Sequence, residues 1–351
     1  MKFGILFTSQ PNPDTEKYPY RAVHQRVVED VIEADRLGYD YAWIAEHHAS
    51  NKYGIMPDPF MLIANLATQT KQIKLGTAVM TLPLHNVLRL AEETALADIL
   101  TDGRFMLGLG SGYRKYEFDA FDVNFDERRD IQGEGLPLLL DMLRTHKVDH
   151  RGKFFSHSVT GDYEIFPQSI QQPYPPAYVA AATERSIGLG AGLGLGLLLS
   201  TLSTIPEVGK QTKFYREQCA QTPNEYRVNP AFGDVDVARF VYVAESDEEA
   251  RQESSEGIVR HIESFTQGQT SGYLGNVSAT GKELYKKVEY DRLTESTILH
   301  GSVETVVAGI ERLRDETGAT SLMLHFPPYY GPERTREVLA RFAEAVIPKF
   351  R

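Results

Sequence analysis

Eight times along this chain a short apolar run is followed by a stretch of helical periodicity, and no other feature limits the fold as much. The runs are Lys2–Thr8, Tyr41–Ala45, Ile73–Val79, Arg104–Leu109, Ala177–Ala181, Gly194–Leu199, Val235–Ala244 and Ser321–Phe326. Between the first two, Val23, Val27, Val28, Val31, Ile32 and Leu37 recur at three- and four-residue spacing until Gly38. That is an amphipathic helix with a glycine stop. Further helices are predicted over 59–70, 87–100, 128–145, after Thr183, over 205–218, after Ser246, and over 302–317 and 333–350. Alternation with short turns implies parallel strands joined by crossover helices, and strands apolar along their length are covered on both faces. The order fits an α/β fold, a (β/α)8 TIM barrel, which needs about 250 residues. The 351 residues leave room for insertions after strands 4 and 7, at about 111–176 and 263–300. A doubly wound open sheet is the alternative. It usually carries a Gly-x-Gly-x-x-Gly turn after its first strand, where this chain has Thr8-Ser9-Gln10-Pro11.

Composition narrows the partners. The formal charge is −11, from 37 basic and 48 acidic side chains, which argues against nucleic acid or an anionic membrane. No apolar run approaches the ~20 residues that span a bilayer, and the most apolar stretch, Ile187–Leu199, is broken by glycines. The start, Met1-Lys2-Phe3-Gly4, reads as strand and not as a signal peptide. Cys219 is the only cysteine. Together these point to a cytoplasmic protein.

In a barrel the C-terminal strand ends share one mouth, where active sites sit. The polar residues there are Thr8-Ser9-Gln10, Glu46-His47-His48, Thr77, Ser111, Tyr113, Thr183, Ser200 and His325. A buried strand closing on a carboxylate and two imidazoles suggests a task for them. Metal binding fits least, because neighbours on a strand point to opposite faces and no other cluster completes a ligand set; no metal is expected. Structural packing is a second reading. An imidazole acting near pH 7 as general base or hydrogen-bond donor is the third, and the one we carry forward.

Gly108-x-Gly110-Ser111-Gly112 is either a tight turn or a low wall that a flat ligand can approach. Thr183-Glu184-Arg185-Ser186 opens a helix. Its amides, hydroxyls and guanidinium suit a phosphate, or it is a plain N-cap with Arg185 facing solvent. No nucleophile elbow or Walker loop is present. Residues 113–126 read as a loop, Lys153–Phe155 with Asp162–Ile165 as a small hairpin, and 265–297 as an insertion over one end. With 49–56, these loops shape the substrate pocket. Their aromatics (Tyr53, Tyr113, Tyr116, Phe118 and Tyr273) suggest an apolar or ring-containing molecule.

The order and spacing of several short motifs resemble the bacterial luciferase-like family of flavin-dependent monooxygenases. They are Met1–Gly4, Glu46-His47-His48, Leu75–Ala78, Arg89-x-Ala91-Glu92, Gly103–Phe105, Gly108–Tyr113, Pro175–Ala181 and Gly301–Glu304. The resemblance implies a single TIM-barrel domain over 1–351, a homodimer, and reduced FMN bound at the mouth. With oxygen, the reduced flavin of such enzymes oxygenates an aldehyde, ketone or activated carbon. By the same resemblance His47 governs flavin–oxygen chemistry, and Ala78 and Val79 match a pair joined by a cis peptide beneath the ring. Thr183 and Ser186 match phosphate contacts, and Ser200 a position near the ring. Ser111 and Tyr113 complete the cofactor-binding set. The luciferase α chain has a Cys-Arg pair where this chain has Gly110-Ser111. Here Arg185 or Arg114 takes over the phosphate, and the match is to a general family member rather than to a luciferase. No reductase domain or nicotinamide fingerprint is visible, so reduced FMN is expected from a separate flavin reductase. A deazaflavin-dependent oxidoreductase and a non-catalytic flavin-binding subunit are the alternatives.

Overall fold

The computed structural model describes residues 1–50, 53–266, 282 and 284–351. Tyr273 and most of the segment read as a second insertion lie outside them. Twelve strands occur among the described residues: β1 Lys2–Phe7, β2 Tyr41–Ile44, β3 Lys74–Thr77, β4 Met80–Thr81, β5 Phe105–Gly110, β6 Val148–Arg151, β7 Ser156–Val159, β8 Ala177–Ala180, β9 Gly196–Leu199, β10 Val235–Ala244, β11 Ile298–Ser302 and β12 Ser321–His325. Eight of them close a parallel barrel in the order β1-β2-β3-β5-β8-β9-β10-β12, with β12 pairing back to β1. These are the eight runs read from the sequence, so the open-sheet alternative is excluded.

The helices between them follow their local signals. Gly38 ends the helix Arg21–Leu37 in the left-handed region, at φ 81°. Thr183 caps Glu184–Gly192 and Ser302 caps Val303–Thr317 through their side chains. Three readings need correction. The hairpin pairs Val148–Arg151 with Ser156–Val159, upstream of the expected register. The loop at 113–126 contains a helix, Lys115–Ala120. The stretch before Ser302 is the strand β11, which pairs with the outer half of β10 from Phe240 to Ala244.

The barrel interior explains why there is a site at all. Side chains alternate in and out along each strand. The inward positions deep in the barrel are large: Tyr41, Trp43, Met106 and Tyr178 pack together. Trp43 is fully buried and meets the Tyr178 ring edge-on at 5.2 Å. Gly76 is required there, since a Cβ would come within 2.4 Å of the indole. Toward the C-terminal strand ends the inward positions are small: Ala45, Ala78, Gly110, Ala180 and Ser200. Large residues plug the base and small ones leave the mouth hollow.

Candidate active site

The hollow is an open cavity with an empty volume of about 1400 Å3 that includes space continuous with solvent. His47, Ala78, Val79, Ser111, Tyr113, Thr183, Ser186 and Ser200 all border it. Arg185 does not. Its side chain is two-thirds exposed and pairs with Asp130 at 2.6 Å. Helical geometry explains this: Thr183 and Ser186, three apart, share a face, and Arg185 points off it. Arg114 is not on the wall either; it is buried with its guanidinium 3.8 Å from the Tyr53 ring centre.

His47 follows β2 and is 7% exposed. Its Nδ1 lies 3.0 Å from Glu117 Oε1, and the same oxygen accepts from the His48 backbone N–H at 3.2 Å. Burial pulls the His47 pKa below its ordinary value, outweighing the Glu117 carboxylate that pushes it up. The ring is therefore neutral at pH 7. Nδ1–H donates to Glu117, which fixes the tautomer and leaves the Nε2 lone pair as the proton acceptor. The edges of Tyr53 and Tyr113 hold the imidazole in place, with centroids 4.8 and 6.2 Å away.

His47 is thus oriented by Glu117 and not by its sequence neighbours Glu46 and His48. Glu46 serves a different network. Its Oε1 accepts from His48 Nε2 at 2.9 Å and from His85 Nε2 at 2.7 Å, and its Oε2 accepts from the Thr81 N–H. Burial would raise the Glu46 pKa, but these three donors outweigh it and hold it at about 2. Glu46 thus stays ionised and ties the end of β2 to the segment Ala78–Thr81. Within that segment the Ala78–Val79 peptide is cis, the form the resemblance implies for this pair. Opposite it, a Cβ on Gly110 would fall 2.5 Å from Val79 Cγ2, so glycine keeps that wall low.

At the far end, Thr183 and Ser186 form a capping box, with their hydroxyls 2.9 Å apart. Beside them Arg129 also borders the cavity. Among the described residues it has no ion-pair partner. Sequence reading missed Arg129, although one signal was present. It sits in the first turn of the helix Arg128–Thr145, where a cation runs against the helix dipole unless an anion is near. Glu117, the partner of His47, lies 70 residues away in sequence and left no local signal.

The profile of the luciferase-like monooxygenase family matches residues 1–321. The chain belongs to that family. One relative is the oxygenase component of the flavin-dependent trigonelline monooxygenase of Acinetobacter baylyi, 29% identical over 259 residues, or 73% of this chain and 69% of that one. The matches to two other curated relatives span 50% and 59% of their lengths. Two solved structures share the fold over the whole chain. The oxygenating constituent of 3,6-diketocamphane monooxygenase from Pseudomonas putida, in complex with FMN, has a TM-score of 0.80 at 20% identity and covers 100% of this chain and 99% of its own. The coenzyme F420 dependent tetrahydromethanopterin reductase of Methanopyrus kandleri has a TM-score of 0.70 at 18% identity, with the same coverage. At these identities they show the fold alone.

Proposed function

We propose that this chain is the oxygenase component of a two-component monooxygenase that takes reduced FMN from a separate flavin reductase and oxygenates a small organic substrate. The observation that carries the reading is one cavity with an anion-binding end and a proton-accepting end. Thr183, Ser186 and Arg129 suit a phosphate: hydroxyls, a helix N-terminus and a guanidinium without an ion-pair partner among the described residues. Between the ends, Ala78, Val79, Gly110 and Ala180 make a low apolar wall that a flat ring can lie against. The residues present therefore fit FMN. When bound, the reduced flavin would supply the electrons with which oxygen is activated. The chain's own residues then divide the work. His47 Nε2 holds or accepts a proton, Glu117 fixes its ring, and Glu46 holds the Ala78–Thr81 wall.

FMN is favoured over deazaflavin by the curated relative named as a flavin-dependent oxygenase component and by the neutral His47 beside the apolar wall. The proposal includes a homodimer. Met61, Leu96, Ile99 and Leu100 are exposed on the helices Pro59–Ala67 and Val87–Leu100, and sedimentation at twice the chain mass is the expected result. No helix among the described residues is long and apolar enough to cross a membrane.

Arg129→Gln tests the reading. It should weaken reduced-FMN binding by roughly tenfold, the effect of one charge-assisted contact, while reduced riboflavin, which lacks the phosphate, binds the variant and the parent equally. Equal loss for both flavins would place Arg129 outside the phosphate site.

A further inference from the structure

Arg114 is a buried positive charge that the proposed function does not use. It is 4% exposed, and a guanidinium stays charged at any ordinary pH. Its Nε and Nη2 have no hydrogen-bond partner, and among the described residues it forms no ion pair. It also stands at the N-cap position of the helix Lys115–Ala120 without capping it, where a cation runs against the helix dipole. Burying a charge on these terms is costly. What the charge touches explains why it is there.

It touches two tyrosine rings. The guanidinium carbon lies 3.8 Å from the centre of the Tyr53 ring and 4.9 Å from that of Tyr113, a cation against two π systems. Both rings stand nearly perpendicular to the His47 imidazole, at 78° and 81°. The chain beside Tyr53 is pressed onto the same strand ends. A Cβ on Gly54 would come within 2.6 Å of His47 Cδ2. His47 N–H donates to Met56 O at 2.8 Å, and Ile55 N–H donates to Ser9 O at 3.2 Å. One cation thus grips both rings that bound the imidazole.

The charged and titratable groups around that imidazole are Glu46 on its own segment, Glu117 on the helix Lys115–Ala120, Tyr53 on the following loop, and Tyr113 and Arg114 after β5. Burial lowers the His47 pKa most strongly; the two carboxylates raise it, and Arg114 lowers it again. Without that charge, two carboxylates would face the ring alone and favour a second proton on Nε2.

We propose that Arg114 positions His47: its guanidinium clamps Tyr53 and Tyr113 against the imidazole, and its unneutralised charge keeps a proton off Nε2. This rests on the reading of His47 as the proton acceptor of a flavin-dependent oxygenation site, and it gives that site a positioning residue outside the cavity wall.

An NMR titration of the full-length protein with labelled histidine, without flavin, reads the His47 ring directly, and His47→Ala assigns its signal. In Arg114→Met the His47 pKa should rise. In Arg114→Lys, which keeps the charge, it should return to the parent value. Supplied with reduced FMN, Arg114→Met should lose roughly tenfold or more in kcat, the effect of a misplaced reacting group, with FMN affinity unchanged. The acidic limb of its pH profile should move to higher pH. Lysine lacks the flat face that covers two rings, so Arg114→Lys should recover the pH profile but only part of kcat. Arg114→Gln, neutral and polar, gives the same readings where methionine unfolds the chain. The proposal is overturned if the neutral variants keep the parent's His47 pKa or its kcat, if Arg114→Lys raises the pKa as much as they do, or if they lose FMN affinity in step with kcat. A parent that binds no reduced FMN strikes the flavin reading instead, and the titration without flavin still decides the claim about Arg114.

Discussion

His47→Ala is expected to lower product formation by about 100-fold or more, the usual weight of a positioned proton-transfer group, with reduced-FMN affinity little changed. The imidazole is held by Glu117 at Nδ1 and by two tyrosine edges, so its free atom is Nε2. Removing the ring deletes that acceptor and leaves Thr183, Ser186 and Arg129 untouched at the other end. Oxygen uptake should continue, but the oxygen should appear as hydrogen peroxide rather than in product. Glu117→Gln separates position from charge. Its amide oxygen still accepts from Nδ1–H, but the negative charge that raises the His47 pKa is gone. The pH profile of oxygenation should then shift its acidic limb to lower pH while the maximum rate falls less than in His47→Ala. A His47→Ala enzyme with unchanged coupling of oxygen to product would remove this residue from the chemistry.

Asp236→Asn is expected to change stability more than any other polar substitution in the barrel. Asp236 is 2% exposed on an inward position of β10 and accepts from the Ser321 hydroxyl. Burial, with Asp234 nearby, raises its pKa to about 8. The folded protein therefore keeps a proton that the unfolded chain releases near pH 4. Between these values the folded state binds more protons, so stability falls as pH rises from about 4 to about 8, by up to ~1.4 kcal/mol per pH unit. Above pH 8 the penalty is complete, on the order of several kcal/mol. Asparagine keeps a hydrogen-bonding oxygen for Ser321 and cannot ionise. Urea unfolding from pH 5 to 8.5 should show the parent losing stability steeply and the variant staying nearly flat, so the variant is the more stable at pH 8. Parallel curves would mean that Asp236 ionises normally in the barrel.

The barrel was legible because its signal is local. Each strand is a short apolar run and each helix carries its own period and cap, such as Gly38 and Thr183. β11 escaped notice because Ile298–Ser302 pairs only with the outer half of β10, and its last residue doubles as a helix cap. The helix Lys115–Ala120 has six residues, too few for a periodic pattern. At the site, strand-end residues such as His47, Ser200 and His325 were placed at the mouth by topology, and Ala78 by the family resemblance. Pairings between separate elements were not. Nothing near His47 in sequence points to Glu117, and nothing near Thr183 points to Arg129. Arg185 was chosen for its place in the chain, and the rotation of its helix turns it to Asp130 instead.

The central claim is that one cavity binds reduced FMN between a phosphate end and His47. Anaerobic titration of the protein with reduced FMN, reduced riboflavin and reduced coenzyme F420 tests it most directly. FMN should bind at least roughly tenfold more tightly than either of the others, with the margin over riboflavin set by one charge-assisted phosphate contact. Equal affinity for FMN and riboflavin, or tighter binding of the deazaflavin, would contradict it.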